Sequence, residues 1–388
     1  MKLRSQVEKR ILSQSPSWDP LGGLLWTNSL GYRAVVGLRN SWYDSTWSRK
    51  RRLPSPVISV GNLTVGGSGK TPFVMLIATT LAQKGFKVAV LSRGYGRKGR
   101  MGILKVSDGR GPLVGPKEAG DEPYLMAKKL RNVAVWVGTD RFEAGLECWR
   151  ESRPEVFILD DGFQHRDLLR DLDIVLVRFP RPWGNGRLLP AGPLREPLSG
   201  LKRADVLVVN SYGEWDLVRF HGLPGRGFVF LRARLVPKAI RHLGGEETLP
   251  ISSLKGSEVV AFCGIGTPDS FRKTLLGTGV RLGPFLSFPD HHWYTPQDVQ
   301  EVRRLSKKDA LLITTEKDAC KLEELGSDLK GIWALEIEMT AEPLWILEQI
   351  LEEALISKAD PGEVVNPSHG PEVDGAFELQ ISGKGRED

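Results

Sequence analysis

The chain has 388 residues, 40% of them hydrophobic, enough to bury a core in two domains or in one large domain with appendages. Its formal net charge of +7 favours anionic partners, whether phosphorylated substrates, nucleic acid or acidic lipid headgroups, without choosing among them. Three widely spaced cysteines, Cys148, Cys263 and Cys320, exclude a disulfide framework or a CxxC metal site and fit a reducing cytoplasm.

Residues 1–20 are charged and broken by Ser and Pro, without the apolar core of a secretory signal. No run of 18 apolar residues occurs, so no spanning helix is expected. Within residues 20–48, Leu24, Leu25, Leu30, Ala34, Val35 and Leu38 recur at roughly helical spacing. Trp26, Tyr32, Trp42, Tyr43 and Trp47, followed by the basic run Arg49 to Arg52, suit a helix lying in a membrane interface. The same spacing suits a helix packed on the protein's own core, and both readings stand on the sequence alone.

From Pro56 the pattern becomes α/β. Val57–Val60 reads as a short buried strand, followed by a glycine-rich turn and a helix with Phe73, Leu76, Ile77 and Leu81 on its buried face, ended by Gly85. Further apolar runs follow at Lys87–Leu91, Val133–Val137, Val156–Leu159, Ile174–Val177 and Val206–Val209. Such runs alternating with helical stretches predict a mostly parallel sheet covered on both faces. A second set begins near Glu258, with strands Val259–Phe262 and Leu311–Thr314 and helices around Ser270–Leu276 and Pro296–Leu305. The tail from about Lys358 is rich in Gly, Pro, Glu and Asp and is expected to be disordered.

Thr64, Val65, Gly66, Gly67, Ser68, Gly69, Lys70 and Thr71 lie between a predicted strand and a predicted helix, the context of a phosphate-binding P-loop. The glycines let the backbone aim N–H groups at phosphate oxygens, and the helix N-terminus adds its dipole. Lys70 would reach the β- and γ-phosphates and the Thr71 hydroxyl would hold Mg²⁺. The strict pattern wants glycine where this chain has Thr64. Asp160 and Asp161 end an apolar strand in the manner of a Walker B element, where a carboxylate holds Mg²⁺ directly or through water.

Taken together, six segments resemble the tetraacyldisaccharide 4′-kinases of lipid A synthesis. They are Val60–Pro72, Ser92–Gly96, Gly120–Pro123, Leu159–His165, Gly184–Pro197 and Thr314–Asp318, and the likeness runs in order from about residue 20 to 350. The resemblance implies a P-loop NTPase-like α/β core, a smaller C-terminal α/β lobe and an N-terminal membrane-interfacial helix. The expected divisions are residues 1–49, 50–250, 251–355 and a tail from 356 to 388. It implies transfer of the ATP γ-phosphate to the 4′-hydroxyl of an acylated glucosamine disaccharide 1-phosphate lipid, at the cytoplasmic face of the bacterial inner membrane. The expected product is lipid IV-A.

In family terms Asp121 looks like the base near the acceptor hydroxyl, with His291 as its partner and His292 the alternative. Asp121 also suits a helix cap, and the two histidines suit a turn. Glu196 resembles a magnesium-linked acid, and Asp161 is preferred to Asp160 as metal ligand. Arg93 and Arg141 resemble phosphate-facing positions, while Gln164 and His165 would lie near the γ-phosphate or the acceptor.

Rival readings fit less well. A membrane-associated regulatory ATPase of the MinD/ParA type carries a second lysine where this chain has Val65, and no guanine-specific [NT]KxD element occurs in a suitable place. No basic helix with interleaved aromatics supports nucleic-acid binding. No obligate protein partner is implied.

Overall fold

The computed structural model describes residues 19–98, 102–211, 220, 223–224, 227–306, 310–326 and 329–356. The expected loose tail lies outside the described residues from 357 onward, as do residues 1–18.

The first helix, α1, spans Pro20–Asp44; Asp19 caps it by accepting from the Gly22 N–H, and Pro20 occupies the first turn, where a missing N–H costs nothing. The P-loop region follows as β1 (Val57–Gly61) and α2 (Lys70–Gln83). Next come β2 (Val88–Ser92), β3 (Leu104–Ser107), the single turn α3 (Pro116–Ala119), α4 (Asp121–Lys129) and β4 (Val133–Val137). The first half continues through α5 (Arg141–Ser152), β5 (Val156–Asp160), β6 (Leu172–Arg178) and β7 (Val206–Asn210).

The long strand β8 (Val229–His242) leads to short β9 (Thr248–Pro250) and the second set: β10 (Glu258–Cys263), α6 (Pro268–Gly277), β11 (Arg281–Ser287), α7 (Pro296–Leu305), β12 (Leu311–Thr315) and α8 (Glu316–Glu323). The described chain closes with β13 (Ile332–Glu342) and α9 (Leu344–Ile356).

Among the described residues 13 strands join one sheet in the order β11-β10-β12-β13-β8-β7-β6-β1-β5-β2-β4-β3, with β9 on β8. Pairing is parallel from β8 through β4 and from β11 through β13. The two parallel groups meet at an antiparallel β13–β8 ribbon. Strands β1, β2, β5 and β7 are buried along their whole length, the signature of a parallel sheet covered on both faces.

On one face α2, α4 and α9 pack Phe73, Ile77, Leu81, Met126, Leu347 and Leu351 against the strands. Leu76, expected on the buried face of α2, is only half-buried at the edge of this cluster. On the other face α5 covers Leu91, Phe157 and Leu159. The second set has its own clusters around Val259, Ala261 and Ile313 and around Phe262, Val302 and Leu322. Helix α9 departs from the expected boundary at residue 251: the chain crosses back through β13, and Leu347 and Leu351 complete the first core.

One side of α1 packs on the protein and the other is open. Ser29 and Val36 are buried on the protein, whereas Val35, Leu38 and Trp42 are 66%, 74% and 60% exposed. Among the described residues no helix is long and apolar enough to cross a membrane.

Candidate active site

Strand β1 lies between β5 and β6, which return from opposite directions in the sheet, so the loop after β1 leaves at a topological switch point. That loop carries Thr64 to Thr71. Gly66 and Gly69 have φ of +104° and +92°, which only glycine adopts without strain. Gly69 is also a point of close approach: a Cβ there would stand 2.7 Å from Asn210 Nδ2 and 2.9 Å from Met339 Cε. Asn210, at the tip of β7, donates to the Ser68 carbonyl at 3.0 Å and steadies the turn from behind. Lys70 Nζ donates to Asn62 Oδ1 at 3.1 Å and lies 3.4 Å from Asp161 Oδ1.

The parallel register sets Val60 beside Asp160, which delivers the two carboxylates to the start of the loop. Asp160 Oδ2 accepts from Ser92 Oγ at 2.9 Å, while its Oδ1 is buried without a hydrogen-bond partner. Burial, with Glu122 and Asp161 nearby, pushes the Asp160 carboxyl up to about 7. Asp161 differs. Arg195 Nη1 grips both its oxygens at 3.0 and 2.8 Å, and although burial pushes it up, Lys70 and Arg195 hold its carboxyl down to about 2. The preference for Asp161 as metal ligand therefore meets a carboxylate already spent on two cations, and the unpartnered oxygen belongs to Asp160.

Arg141, at the start of α5, is buried, and its Nε lacks a partner. Burial lowers its pKa, partly offset by the charges of Asp160 and Asp161. Arg93 is exposed near the same guanidinium. Gln164 Nε2 donates to the Asn62 carbonyl at 2.8 Å and to Glu196 Oε1 at 3.0 Å. Burial and the charge of Arg141 push His165 down to about 4, so it is neutral near pH 7.

Glu196 does not behave as a free acid waiting for a metal. It is wholly buried, with both oxygens on Arg203 Nη2 at 3.0 and 2.8 Å, and Asn40 Nδ2 stands 3.4 Å from Oε2. Among the described residues no group of three or more His, Cys, Asp or Glu side chains could hold a metal by itself.

A second cluster forms where α4 of the first group packs against α8 and the His291 turn of the second. Gly120 precedes α4 at φ +90°, where a Cβ would lie 2.8 Å from the Tyr95 carbonyl, and this sharp entry buries Asp121 at the first position of the helix. Asp121 Oδ2 lies 2.8 Å from His291 Nδ1, 3.6 Å from Lys317 Nζ and 3.9 Å from Lys321 Nζ. Lys317 also pairs with Glu122 at 2.9 Å.

The imidazole that meets Asp121 is thus that of His291. His292 instead stacks on Phe288 and reaches Asp298 at 3.1 Å. His291 sits at φ +59°, a strained position for a residue with a side chain, costing about 1–3 kcal/mol. Backbone hydrogen bonds from its N–H to Gly264 O at 3.1 Å and Asp290 Oδ1 at 3.0 Å hold it there.

Burial pushes the Asp121 carboxyl up, but the His291 hydrogen bond and Lys317 outweigh it and leave the pKa below its ordinary value. The hydrogen bond to Asp121 raises that of His291 against the effect of burial. Both shifts favour the charged pair over the neutral one, and linkage fixes its stability profile. The His291 share is complete below about pH 6.5, its unfolded value, and fades as pH rises through the higher folded value. Thermal unfolding from pH 5.5 to 9 should show wild type well above His291→Ala at the acid end, with the gap closing on the alkaline side. A gap that widens with pH would contradict the assignment of charges.

Sequence reading did not single out Asn62, Ser92, Arg195, Asn210 or Lys317. All but Asn210 lie within the quoted motifs, but nothing in the residue order says that Lys317 spans the cleft to Asp121 or that Arg195 closes on Asp161.

The family model described as tetraacyldisaccharide-1-P 4′-kinase matches residues 21–355. A tetraacyldisaccharide 4′-kinase of Syntrophus aciditrophicus is 42% identical over 372 residues, covering 92% of this chain and 99% of that protein. One from Geobacter metallireducens is 43% identical over 336 residues, covering 86% and 98%. The crystal structure of LpxK from Aquifex aeolicus in complex with ATP superposes with a TM-score of 0.69 at 39% identity, covering 85% of this chain and 98% of that one. A match across nearly all the described residues, joined to a site assembled from the same motifs, makes this chain a member of the tetraacyldisaccharide-1-P 4′-kinase family.

Proposed function

We propose that this chain transfers the γ-phosphate of ATP to the 4′-hydroxyl of a tetraacyl-glucosamine disaccharide 1-phosphate, giving lipid IV-A. The observation that carries the reading is the set of buried atoms left without partners around the glycine turn: Asp160 Oδ1, Arg141 Nε, Asn62 Nδ2 and Ser68 Oγ. Buried polar groups are nearly always satisfied, so orphans clustered at a phosphate loop mark a place for a polar ligand.

The loop amides from Thr64 to Thr71 would cradle the phosphates, with Lys70, Arg93 and Arg141 supplying positive charge and Gln164 lining the approach. A magnesium ion fits the donor set of the Thr71 hydroxyl and Asp160 Oδ1, completed by phosphate oxygens and water. It would supply charge neutralisation between the phosphate groups. Glu196 supports this set through Gln164 and is not assigned to the metal.

Asp121 accepts the proton of the sugar hydroxyl, and His291 and Lys317 fix the direction of its carboxylate. A carboxylate with a lowered pKa is a weak base. It suffices where the transition state is loose, since the hydroxyl then parts with its proton late and positioning dominates. In this reading a kinase core near residues 50–250 faces a C-terminal lobe near 251–355 that shares its last helix with the core.

The exposed face of α1 would lie in the cytoplasmic face of the inner membrane, which brings a lipid acceptor to the cleft without a spanning helix. Replacing Leu38 and Trp42 together by glutamate should abolish co-sedimentation with anionic phospholipid vesicles and leave thermal unfolding nearly unchanged. Unaltered sedimentation would remove the interfacial role.

The decisive assay incubates purified protein with Mg-ATP and the disaccharide 1-phosphate lipid and reads products by mass spectrometry. A doubly phosphorylated lipid is expected; unchanged lipid beside active relatives would overturn the proposal.

A further inference from the structure

Helix α1 presents two faces with different partners. Its inward face carries Ser29, Tyr32, Val36 and Asn40, at steps of three and four residues that align them along one side. Ser29 Oγ donates to the Leu188 carbonyl at 3.0 Å, the Tyr32 hydroxyl to the Arg195 carbonyl at 2.9 Å, and Asn40 Nδ2 to Glu196 Oε2 at 3.4 Å. Buried Arg166 fastens the far end by donating to the Asn40 carbonyl at 3.1 Å and to Asp44.

All three inward polar contacts fall on one short segment, residues 188–196. The other side of that segment is built into the phosphate loop. Arg195 N–H donates to the Leu63 carbonyl at 2.7 Å, the Val65 N–H donates to the Pro193 carbonyl at 2.8 Å, and Thr64 bridges antiparallel to Leu194. The Arg195 side chain holds Asp161, which faces Lys70. Glu196 holds Gln164, which shares Asn62 with Lys70. Two chains of contacts therefore run from the helix to the P-loop lysine, one through Tyr32, Arg195 and Asp161, the other through Asn40, Glu196, Gln164 and Asn62.

We propose that α1 is a brace of the nucleotide cradle as well as a lipid contact, with Tyr32 and Asn40 as positioning residues for Lys70 and Asp161. A helix used only as an anchor has no need to spend its polar side chains on the strap behind the phosphate loop. The Tyr32 contact fixes the Arg195 carbonyl, with Asp161 alone between Arg195 and Lys70, and the Asn40 contact fixes Glu196, with Gln164 and Asn62 between it and Lys70. Loss of such a contact should appear in ATP affinity and turnover. The proposal rests on nucleotide binding at the loop, as argued above, but not on the identity of the acceptor.

The test uses the full chain in mixed micelles, with Tyr32→Phe, Asn40→Ala and the double variant. Titration with a nonhydrolysable ATP analogue should show affinity weakened about three- to tenfold per contact, the range of one intramolecular hydrogen bond. The KM for ATP should rise and kcat fall, while the KM for the lipid acceptor and vesicle co-sedimentation stay near wild type. A merely structural loss would lower thermal stability and leave the ATP KM unmoved. Should Asn40→Ala fail to fold, Tyr32→Phe, which removes one oxygen, carries the test alone. Variants with wild-type ATP affinity, or with only the lipid KM raised, overturn the brace. A wild type that binds no analogue overturns the nucleotide site itself, and the brace with it.

Discussion

Asp121→Ala is expected to lower lipid phosphorylation about 100- to 10,000-fold, the usual contribution of a positioned general base, with little change in the KM for ATP. The carboxylate is buried at the start of α4, in the same half of the sheet as Lys70, and is held by His291 at 2.8 Å and Lys317 at 3.6 Å from the second set. These contacts orient the group as well as charging it. Asp121→Asn keeps the shape but leaves His291 and Lys317 facing a neutral amide, so it should be nearly as inactive as alanine. Steady-state assays that find near-normal turnover in either variant would remove the base assignment. They would also leave Asp121, buried among His291, Lys317 and Lys321 (the last at 3.9 Å), without a chemical purpose.

Lys70→Ala should lower kcat by about 100- to 1,000-fold, comparable to deleting one preorganised donor to developing charge. The ammonium is poised by Asn62 and Asp161 before any phosphate arrives, so little reorganisation is needed when the transition state forms. Alanine also leaves Asp161 to Arg195 alone, which weakens the strap behind the loop. Arginine should rescue poorly, because its planar fork needs different geometry from a point charge on a flexible stem. Near-wild-type turnover in Lys70→Ala, measured under saturating Mg-ATP, would separate the glycine turn from the chemistry. Restoration by arginine would show that charge alone matters there.

The expected strands β1, β2, β4, β5, β6, β7, β10 and β12 appear within a residue or two of the apolar runs that announced them. The reason is physical: a parallel strand covered on both faces must be apolar at every position, and such runs are visible without partners. Strands β8 and β13 are another matter. Their outer positions carry Arg234, Lys238 and Arg241 on one and Glu336, Glu338 and Glu342 on the other, so neither reads as apolar. Cross-strand pairs such as Lys238–Glu338 at 3.0 Å, Arg241–Glu336 at 3.6 Å and Arg234–Glu342 make the ribbon stable, and pairing is invisible in either strand alone.

By itself, the order of residues determined the phosphate loop, because its chemistry is local: glycines, lysine and threonine act within one turn between a strand and a helix. It likewise set the amphipathic character of α1 and the α/β alternation. Tertiary structure decided everything that depends on distance across the chain. It selected His291 over His292, left Asp160 rather than Asp161 with a free oxygen, and enclosed Glu196 in a salt bridge with Arg203. It also brought Lys317 to Asp121 and seated α1 on the strap behind the loop. These outcomes rest on which groups compete for each charge; Arg203 stands only seven residues from Glu196, but the other competitors are 30 to 200 residues apart and meet only when the sheet closes their separation.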